Sequence, residues 1–170
     1  MECDRVVQGG CIPDTWTQGT LSRRIFAAQL ELSHTTTRSA AGDGIDRRDV
    51  DRLELQWSIA LPAVTTMRSQ PIIAGDTVFL GSKGAHLIAL DRHSGCVRWS
   101  FKTEGPVHSA LTLDTTPDGV ATLYFADEMA SVYAVDATTG KLRWRERVKW
   151  FPTSIISGPI TYYDGRLYVP

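Results

Sequence analysis

The 170-residue sequence predicts an all-β fold, a partial β-propeller of about two and a half four-stranded blades, with a short helical or irregular segment at the N-terminus. Three observations predict it. Short runs of β-prone residues alternate with turn residues, as in antiparallel sheets. A unit of four such runs recurs after 45 residues. A tryptophan stands near the start of the last run of each unit, and four-stranded units with a period of about 40 to 50 residues are typical of propeller blades.

Residues 1–50 are predicted to form the N-terminal helix and loop segment. In residues 20–32 the apolar side chains fall at intervals of four, three and four, which indicates one face of a short amphipathic helix. Residues 33–46 are rich in Thr, Ser, Gly and Asp and are predicted to be a loop. Asp46 could cap a brief helical turn that runs to Val50.

Residues 51–170 are predicted to form an incomplete propeller. Leu53 to Ile59 alternates apolar and polar residues, the period of a strand with one buried face. The first complete blade then follows, with strands predicted over 72–73, 77–80, 86–90 and 96–101. Tight turns containing glycine or aspartate separate these strands, so the sheet should be antiparallel.

The repeat is clearest in an eleven-residue unit. Residues 89–99 are matched by residues 134–144, with Ala, Asp, Gly, Arg and Trp agreeing at an offset of 45. Trp57 precedes Trp99 by 42 positions and repeats the end of the unit. This recurrence predicts two neighbouring blades of the same construction.

A third unit opens at residues 158–160 and continues through residues 165–169. It stops at Pro170, in or beside its expected second strand. Because blades bury their faces only against neighbours, we expect a fragment of a longer propeller that is inactive by itself.

The glycine and aspartate that are identical in both copies of the eleven-residue unit lie in the turn between the third and fourth strands. Gly95 and Gly140 stand where the chain needs a positive φ. Asp91 and Asp136 open the same turn and can accept backbone N–H groups two or three residues on, helped by a Ser or Thr hydroxyl. These acids are therefore interpreted as turn formers rather than metal ligands.

The repeated tryptophans are interpreted as packing residues. Trp57, Trp99 and Trp144 stand near the start of each outermost strand, where an indole can wedge between blades while its N–H finds a carbonyl. Ala89 and Ala134 are predicted to be small because a bulky group lies against them.

Charge and composition exclude several classes. The net charge is −1, and the basic residues are dispersed, so nucleic acid is not an expected partner. Residues 141–149 alternate basic with mostly apolar side chains, which indicates the solvated face of a strand. No segment reaches the roughly 20 apolar residues of a membrane span, and residues 1–20 lack the apolar run of a signal peptide.

The cysteines Cys3, Cys11 and Cys96 are odd in number and form no Cys-x-x-Cys pair, so neither a zinc site nor a haem attachment motif is expected. One thiol is expected to stay free or to pair elsewhere. Asp127 and Glu128 are adjacent acids that could bind a metal, although a solvated turn is the favoured interpretation.

The unit Ala-x-Asp-x-x-(Ser/Thr)-Gly-x-x-x-Trp resembles the tryptophan-docking motif of pyrroloquinoline quinone (PQQ) propellers. Between Arg38 and Pro170 the chain is similar to polyvinyl-alcohol-dehydrogenase-like quinoproteins, and Cys96 within the turn points to this subgroup. The similar segments are 45–57, 94–99, 124–127, 132–137 and 165–170.

This resemblance implies an eight-bladed periplasmic propeller that binds PQQ and calcium, oxidises an alcohol or polyol, and passes electrons to a cytochrome. Family cofactor contacts come from the innermost strands and the loops before them. The corresponding candidates for cofactor binding are Arg68, Gln70, His108 and Ser109; residues 157–158 lie at the same place in the third unit. The resemblance places the catalytic aspartate and the calcium ligands beyond Pro170.

The chain departs from the family pattern at several points, and two alternatives remain open. The adjacent cysteine pair of some quinoprotein dehydrogenases is absent, no Cys-x-x-Cys-His occurs, and Phe151 stands where a histidine is expected before Pro152. The same repeat also builds outer-membrane assembly lipoproteins, which bind partner proteins without a cofactor. The second alternative is an inactive gene remnant.

Overall fold

A computed structural model describes Gln18–Gly19, residues 47–61 and residues 64–170. The helix predicted over residues 20–32 and the capping role of Asp46 lie outside these residues. A 3₁₀ helix spans Arg47–Arg52, where the sequence predicts a helical turn. The strands are β1 Gln18–Gly19, β2 Ser58–Ile59, β3 Ile72–Ala74, β4 Thr77–Ser82, β5 His86–Asp91, β6 Val97–Lys102, β7 Thr112–Thr115, β8 Ala121–Ala126, β9 Ser131–Asp136, β10 Leu142–Arg147, β11 Thr161–Tyr163 and β12 Arg166–Tyr168.

Two four-stranded antiparallel sheets form the predicted blades. The first contains β3 to β6 and the second β7 to β10, with each strand paired to the next along the chain. The registers repeat as well, because Ala89 lies opposite Trp99 and Ala134 lies opposite Trp144. Both alanines are fully buried. Each alanine thus lies directly opposite a tryptophan of the adjacent strand, and the need for a small residue there stays a prediction.

The two sheets pack against each other through one shared core. Its aromatic members cross the boundary, since Phe101 of the first blade makes edge contacts with Phe125 and Tyr133 of the second, at centroid distances of 6.5 and 5.9 Å. The fully buried Leu87 and Leu123 belong to the same cluster. Burying such side chains is worth about 1.5–3 kcal/mol each, so this boundary is a major source of stability.

The tryptophans dock on turns of the following blade. Trp57 Nε1 donates to the carbonyl of Arg92 at 2.8 Å, and Trp99 Nε1 donates to the carbonyl of Ala137 at 3.1 Å. A Cβ built on Gly95 would lie 2.6 Å from the Trp57 ring, and one on Gly140 would lie 2.7 Å from the Trp99 ring. The φ angles of these glycines are +72° and +70°. Glycine is thus required both for the backbone and for the approach of the indole.

Trp144 has a different environment from the two docked tryptophans. This residue is 41% exposed, and its ring is tilted against Tyr124 at a centroid distance of 6.2 Å. All of β10 is exposed, which confirms the solvated basic face predicted for residues 141–149.

The repeated aspartates form the turns as predicted. Asp91 Oδ1 accepts the backbone N–H groups of His93 and Ser94 at 3.0 and 2.9 Å. Asp136 Oδ1 accepts those of Thr138 and Thr139, both at 2.8 Å. Partial burial opposes ionisation of Asp91, but hydrogen bonds from Arg98, Ser94 and His93 outweigh it and lower the pKa of Asp91 to about 2.

The third unit is a hairpin of β11 and β12. It packs on the second blade, because Tyr162 stacks on Tyr124 at 5.1 Å with the rings 5° from parallel. Thr112 Oγ1 also donates a hydrogen bond to the carbonyl of Ile160. The first strands of the second and third units therefore lie side by side.

Besides Trp144, which is exposed where an indole wedged between blades was predicted, two expectations from the sequence need correction. The strand predicted over residues 53–59 is limited to β2. Leu53 and Leu55 are 44% and 38% exposed, and no sheet among the described residues covers them. Asp127, expected in a solvated turn, is fully buried.

Candidate functional site

The candidate site lies around the loops that lead into the first strand of each blade. These first-strand loops, residues 64–71 before β3 and 103–111 before β7, are in contact, since Ser69 Oγ donates to the carbonyl of Ser109 at 3.1 Å. The loop before β11, residues 148–160, follows in the third unit. The candidates Arg68, Gln70, His108 and Ser109 all lie on the first two of these loops.

The serines of the first-strand loops fasten each loop to the second strand of its own blade. Ser69 Oγ accepts the N–H of Gly81 at 3.3 Å. Ser109 Oγ donates to the carbonyl of Ala126 and accepts the N–H of Ala126, both at 2.9 Å. Ser109 is fully buried, so its side chain holds the loop in place.

Arg68 and Gln70 flank Ser69 and are exposed. Their backbone is held from both sides by the buried Ser69, which bonds to the first and second blades. The guanidinium and the amide therefore project from an anchored loop, and both groups suit a carboxylate or carbonyl ligand.

His108 is paired with Glu128 from the turn between β8 and β9. Nδ1 of His108 lies 2.7 Å from Oε1 of Glu128, and the side chains are 8% and 32% exposed. Nε2 of His108 is buried and has no hydrogen-bond partner among the described residues. Buried polar atoms are nearly always paired, so an unpartnered ring nitrogen marks this position as unusual.

The backbone on both sides of this pair is fixed. The N–H of Val107 donates to the carbonyl of Ser82 at 3.1 Å, and the N–H of Glu128 donates to the carbonyl of Pro106 at 2.9 Å. The imidazole and the carboxylate are thus held by the turns of two blades. The sequence indicates Glu128 only as a possible metal ligand beside Asp127, and no pattern in the sequence pairs it with His108.

Asp127 has a structural role beside this pair. Its carboxylate accepts hydrogen bonds from the N–H groups of Gly105, Met129 and Ser131, each at 3.0 Å, and from the Tyr133 hydroxyl at 2.7 Å. Burial, reinforced by the adjacent Asp127, raises the pKa of Tyr133 to about 12. Tyr133 is therefore a neutral donor at any physiological pH, and Asp127 has its bonding capacity filled by the chain.

Metal-binding clusters and membrane-spanning helices are both absent from the described residues. No group of three or more His, Cys, Asp or Glu side chains in this part of the chain could hold a metal ion. No helix among the same residues is both long and apolar enough to cross a membrane.

Comparisons with known proteins agree on one family. A model of PQQ-type repeats, described as outer membrane protein assembly factor BamB, matches residues 44–169. The chain is 33% identical over 129 residues to polyvinylalcohol dehydrogenase of Sphingopyxis sp. (strain 113P3), which covers 74% of this chain and 19% of the relative. It is 30% identical over 139 residues to the polyvinylalcohol dehydrogenase of Pseudomonas sp., covering 80% and 21%. The chain thus spans about a fifth of the length of these two relatives.

Solved structures show the same fold. BamB from Moraxella catarrhalis superposes with a TM-score of 0.53 at 23% identity, covering 66% of this chain and 32% of that chain. Quinohemoprotein alcohol dehydrogenase from Comamonas testosteroni superposes with a TM-score of 0.53 at 15% identity, covering 61% and 17%. Both similarities confirm the propeller architecture predicted from the tryptophan repeat.

Proposed function

The chain belongs to the BamB-like family of PQQ-type propeller repeats, and from that premise we propose that it forms part of a quinoprotein alcohol dehydrogenase. The observation that carries the proposal is the likeness to two polyvinylalcohol dehydrogenases, at 33% and 30% identity over most of the chain. The substrate would be an alcohol or polyol, and the electrons would pass to a cytochrome.

The first-strand loops fit a quinone cofactor. The fit rests on the exposed Arg68 and Gln70, whose loop is anchored by the hydrogen bonds of the buried Ser69. PQQ is a planar acid, so a guanidinium and an amide on one anchored loop suit its carboxylates. When bound, PQQ supplies the two-electron acceptor for alcohol oxidation.

The residues of this chain would bind and orient that cofactor. Arg68 and Gln70 would donate hydrogen bonds, and Ser109 would hold the loop that carries His108 through its two bonds to Ala126. Calcium belongs to the proposal for the quinoprotein as a whole, and we assign none of its ligands to the described residues.

The proposed location is the periplasm. Cys96 is disulfide-bonded, and disulfides persist in oxidising compartments such as the bacterial periplasm. The same compartment would hold the cytochrome that accepts the electrons.

Cofactor binding by the full chain tests the proposal. PQQ is titrated into the protein with and without calcium, and binding is followed by PQQ absorbance and by tryptophan fluorescence. Saturable binding that weakens at least tenfold in Arg68→Ala supports the proposal. As a control, Arg98→Ala removes an arginine that bonds to Asp91 on the outer turn and should leave PQQ affinity unchanged. Absence of saturable binding under both conditions would remove the enzyme hypothesis.

A protein-binding propeller is the second candidate function, because the matching family model is described as an outer membrane assembly factor. Such a scaffold would use loop surfaces and no cofactor. The PQQ titration separates the two, since a scaffold shows no saturable quinone binding and no dependence on Arg68.

A further inference from the structure

The His108–Glu128 pair has features that the proposed cofactor contacts do not explain. Glu128 lies on the turn between β8 and β9, whereas His108 lies on the loop before β7, and their side chains meet at 2.7 Å. The backbone hydrogen bond from Glu128 N–H to Pro106 holds the two segments together. The pair therefore lies where the loop before β7 contacts the turn between β8 and β9.

The carboxylate decides which ring nitrogen carries the proton. An ionised carboxylate only accepts hydrogen bonds, so Glu128 requires a proton on Nδ1 of His108. In the neutral imidazole the other nitrogen, Nε2, is then an acceptor with a free lone pair. This Nε2 is buried and has no partner within the described part of the chain, so the described residues leave its lone pair unused.

The hydroxyl of the next residue, Ser109, does not donate to this nitrogen, because its proton goes to the carbonyl of Ala126. Because Nε2 of the neutral imidazole accepts and does not donate, the pair suits a neutral hydrogen-bond donor better than an anion.

We propose that Nε2 of His108 accepts a hydrogen bond from a hydroxyl group of the alcohol, and that Glu128 is the positioning residue that fixes the accepting tautomer. The proposal rests on the proposed function for the choice of an alcohol as the hydroxyl donor. In this proposal His108 contacts the substrate rather than the cofactor, and Glu128 fixes the proton on its ring.

Nitrogen NMR of the full chain labelled with ¹⁵N-histidine tests the tautomer and the ligand together. We expect His108 to have a protonated Nδ1 and an unprotonated Nε2, and we expect the Nε2 resonance to shift saturably when pentane-2,4-diol is added. His93, which is exposed, serves as an internal control that should not respond. The tautomer is measured in the unmodified chain, so the result does not depend on the folding of a variant.

Two variants test the positioning role of Glu128. Glu128→Gln should shift His108 toward a mixture of tautomers and raise the dissociation constant for the diol at least tenfold. Glu104→Gln is the matched control, because Glu104 pairs with Arg145 and Arg147 and should leave the His108 tautomer unchanged.

The outcomes separate this proposal from the proposed function. A protonated Nε2 in the unmodified chain, or an Nε2 that contacts ordered water only and ignores the diol, overturns the proposal. If PQQ binds but the diol does not shift the Nε2 resonance, the substrate contact is wrong and the proposed quinoprotein function stands. If the diol shifts the Nε2 resonance but PQQ does not bind, the quinoprotein function is wrong and the hydroxyl-binding site stands.

Discussion

Gly140 shows at the residue scale why glycine recurs in the turn between the third and fourth strands of this repeat. Its φ of +70° excludes most side chains, and a Cβ would lie 2.7 Å from the ring of Trp99. One residue thus satisfies a backbone requirement and a packing requirement at once. Gly165 has a similar φ of +72° but no atom within 4 Å of a Cβ, so it separates the two effects.

Gly140→Ala should destabilise the chain by about 2–4 kcal/mol, because the left-handed backbone and the clash with Trp99 both contribute. Gly165→Ala carries only the backbone cost and should lose about 1–2 kcal/mol. Urea unfolding followed by tryptophan fluorescence measures both. Equal losses in the two variants would show that the indole of Trp99 does not lie against Gly140.

Asp91 gives a pH dependence with a defined sign. Its folded pKa of about 2 lies below the unfolded value of about 3.9, so its stabilising effect is fully present above about pH 4 and is lost as the pH falls toward 2. Because the carboxylate is partly solvated, we expect about 1 kcal/mol. The unfolding free energies of the unmodified chain and Asp91→Asn should differ at pH 6 and converge near pH 2. A constant difference over this range would contradict the assignment.

At the element scale, the turn between β8 and β9 joins the second blade to the loop before it. Asp127 in this turn binds Gly105 of the loop, and Tyr133 on β9 binds both Asp127 and the N–H of Glu104. The turn therefore fixes the loop that carries His108. Glu128, the partner of His108, belongs to the same turn.

Tyr133→Phe should destabilise the chain by about 1–3 kcal/mol, because it leaves a buried carboxylate oxygen with one fewer donor and the Glu104 N–H without its acceptor. Tyr163→Phe is the control, since Tyr163 is 65% exposed and should change stability by less than about 0.5 kcal/mol. Thermal unfolding of the two variants makes the comparison. A Tyr133→Phe variant as stable as the control would show that the hydroxyl contributes nothing to the turn.

The sequence predicted the strands of the two blades closely because turn chemistry and the 45-residue period agree there. It failed over residues 53–57, where alternation suggested a strand but no strand in the described part of the chain covers the exposed Leu53 and Leu55. It could not identify the His108–Glu128 pair, because that contact joins residues 20 positions apart through the folding of one blade onto its own loop. Local patterns predict elements, whereas a pairing between loops depends on how the elements pack.

At the scale of the whole molecule, the sheets are held side by side by a shared core and by one docked indole at each turn. Trp57 docks on the turn of the first blade and Trp99 on that of the second. The disulfide of Cys96 lies next to Gly95 in the first of these turns. A covalent link at the docking turn should add to the stability of the first blade.

Reduction of the chain should lower the free energy of unfolding by about 2–4 kcal/mol, the usual effect of losing a native disulfide. Urea unfolding with and without a reductant measures it. Cys96→Ser without a reductant should behave like the reduced unmodified chain. A native chain whose Cys96 reacts with a thiol reagent before reduction would contradict the prediction.

The docking of Trp99 on the turn of the second blade is tested most directly by a double-mutant cycle between Trp99→Ala and Gly140→Ala, with unfolding free energies measured in urea. If the indole lies over the glycine, Gly140→Ala should cost about 2 kcal/mol less in the Trp99→Ala background, because the clash has been removed and only backbone strain remains. Strictly additive losses would show that the two residues are not in contact and would contradict the packing of neighbouring blades on which the proposed function depends.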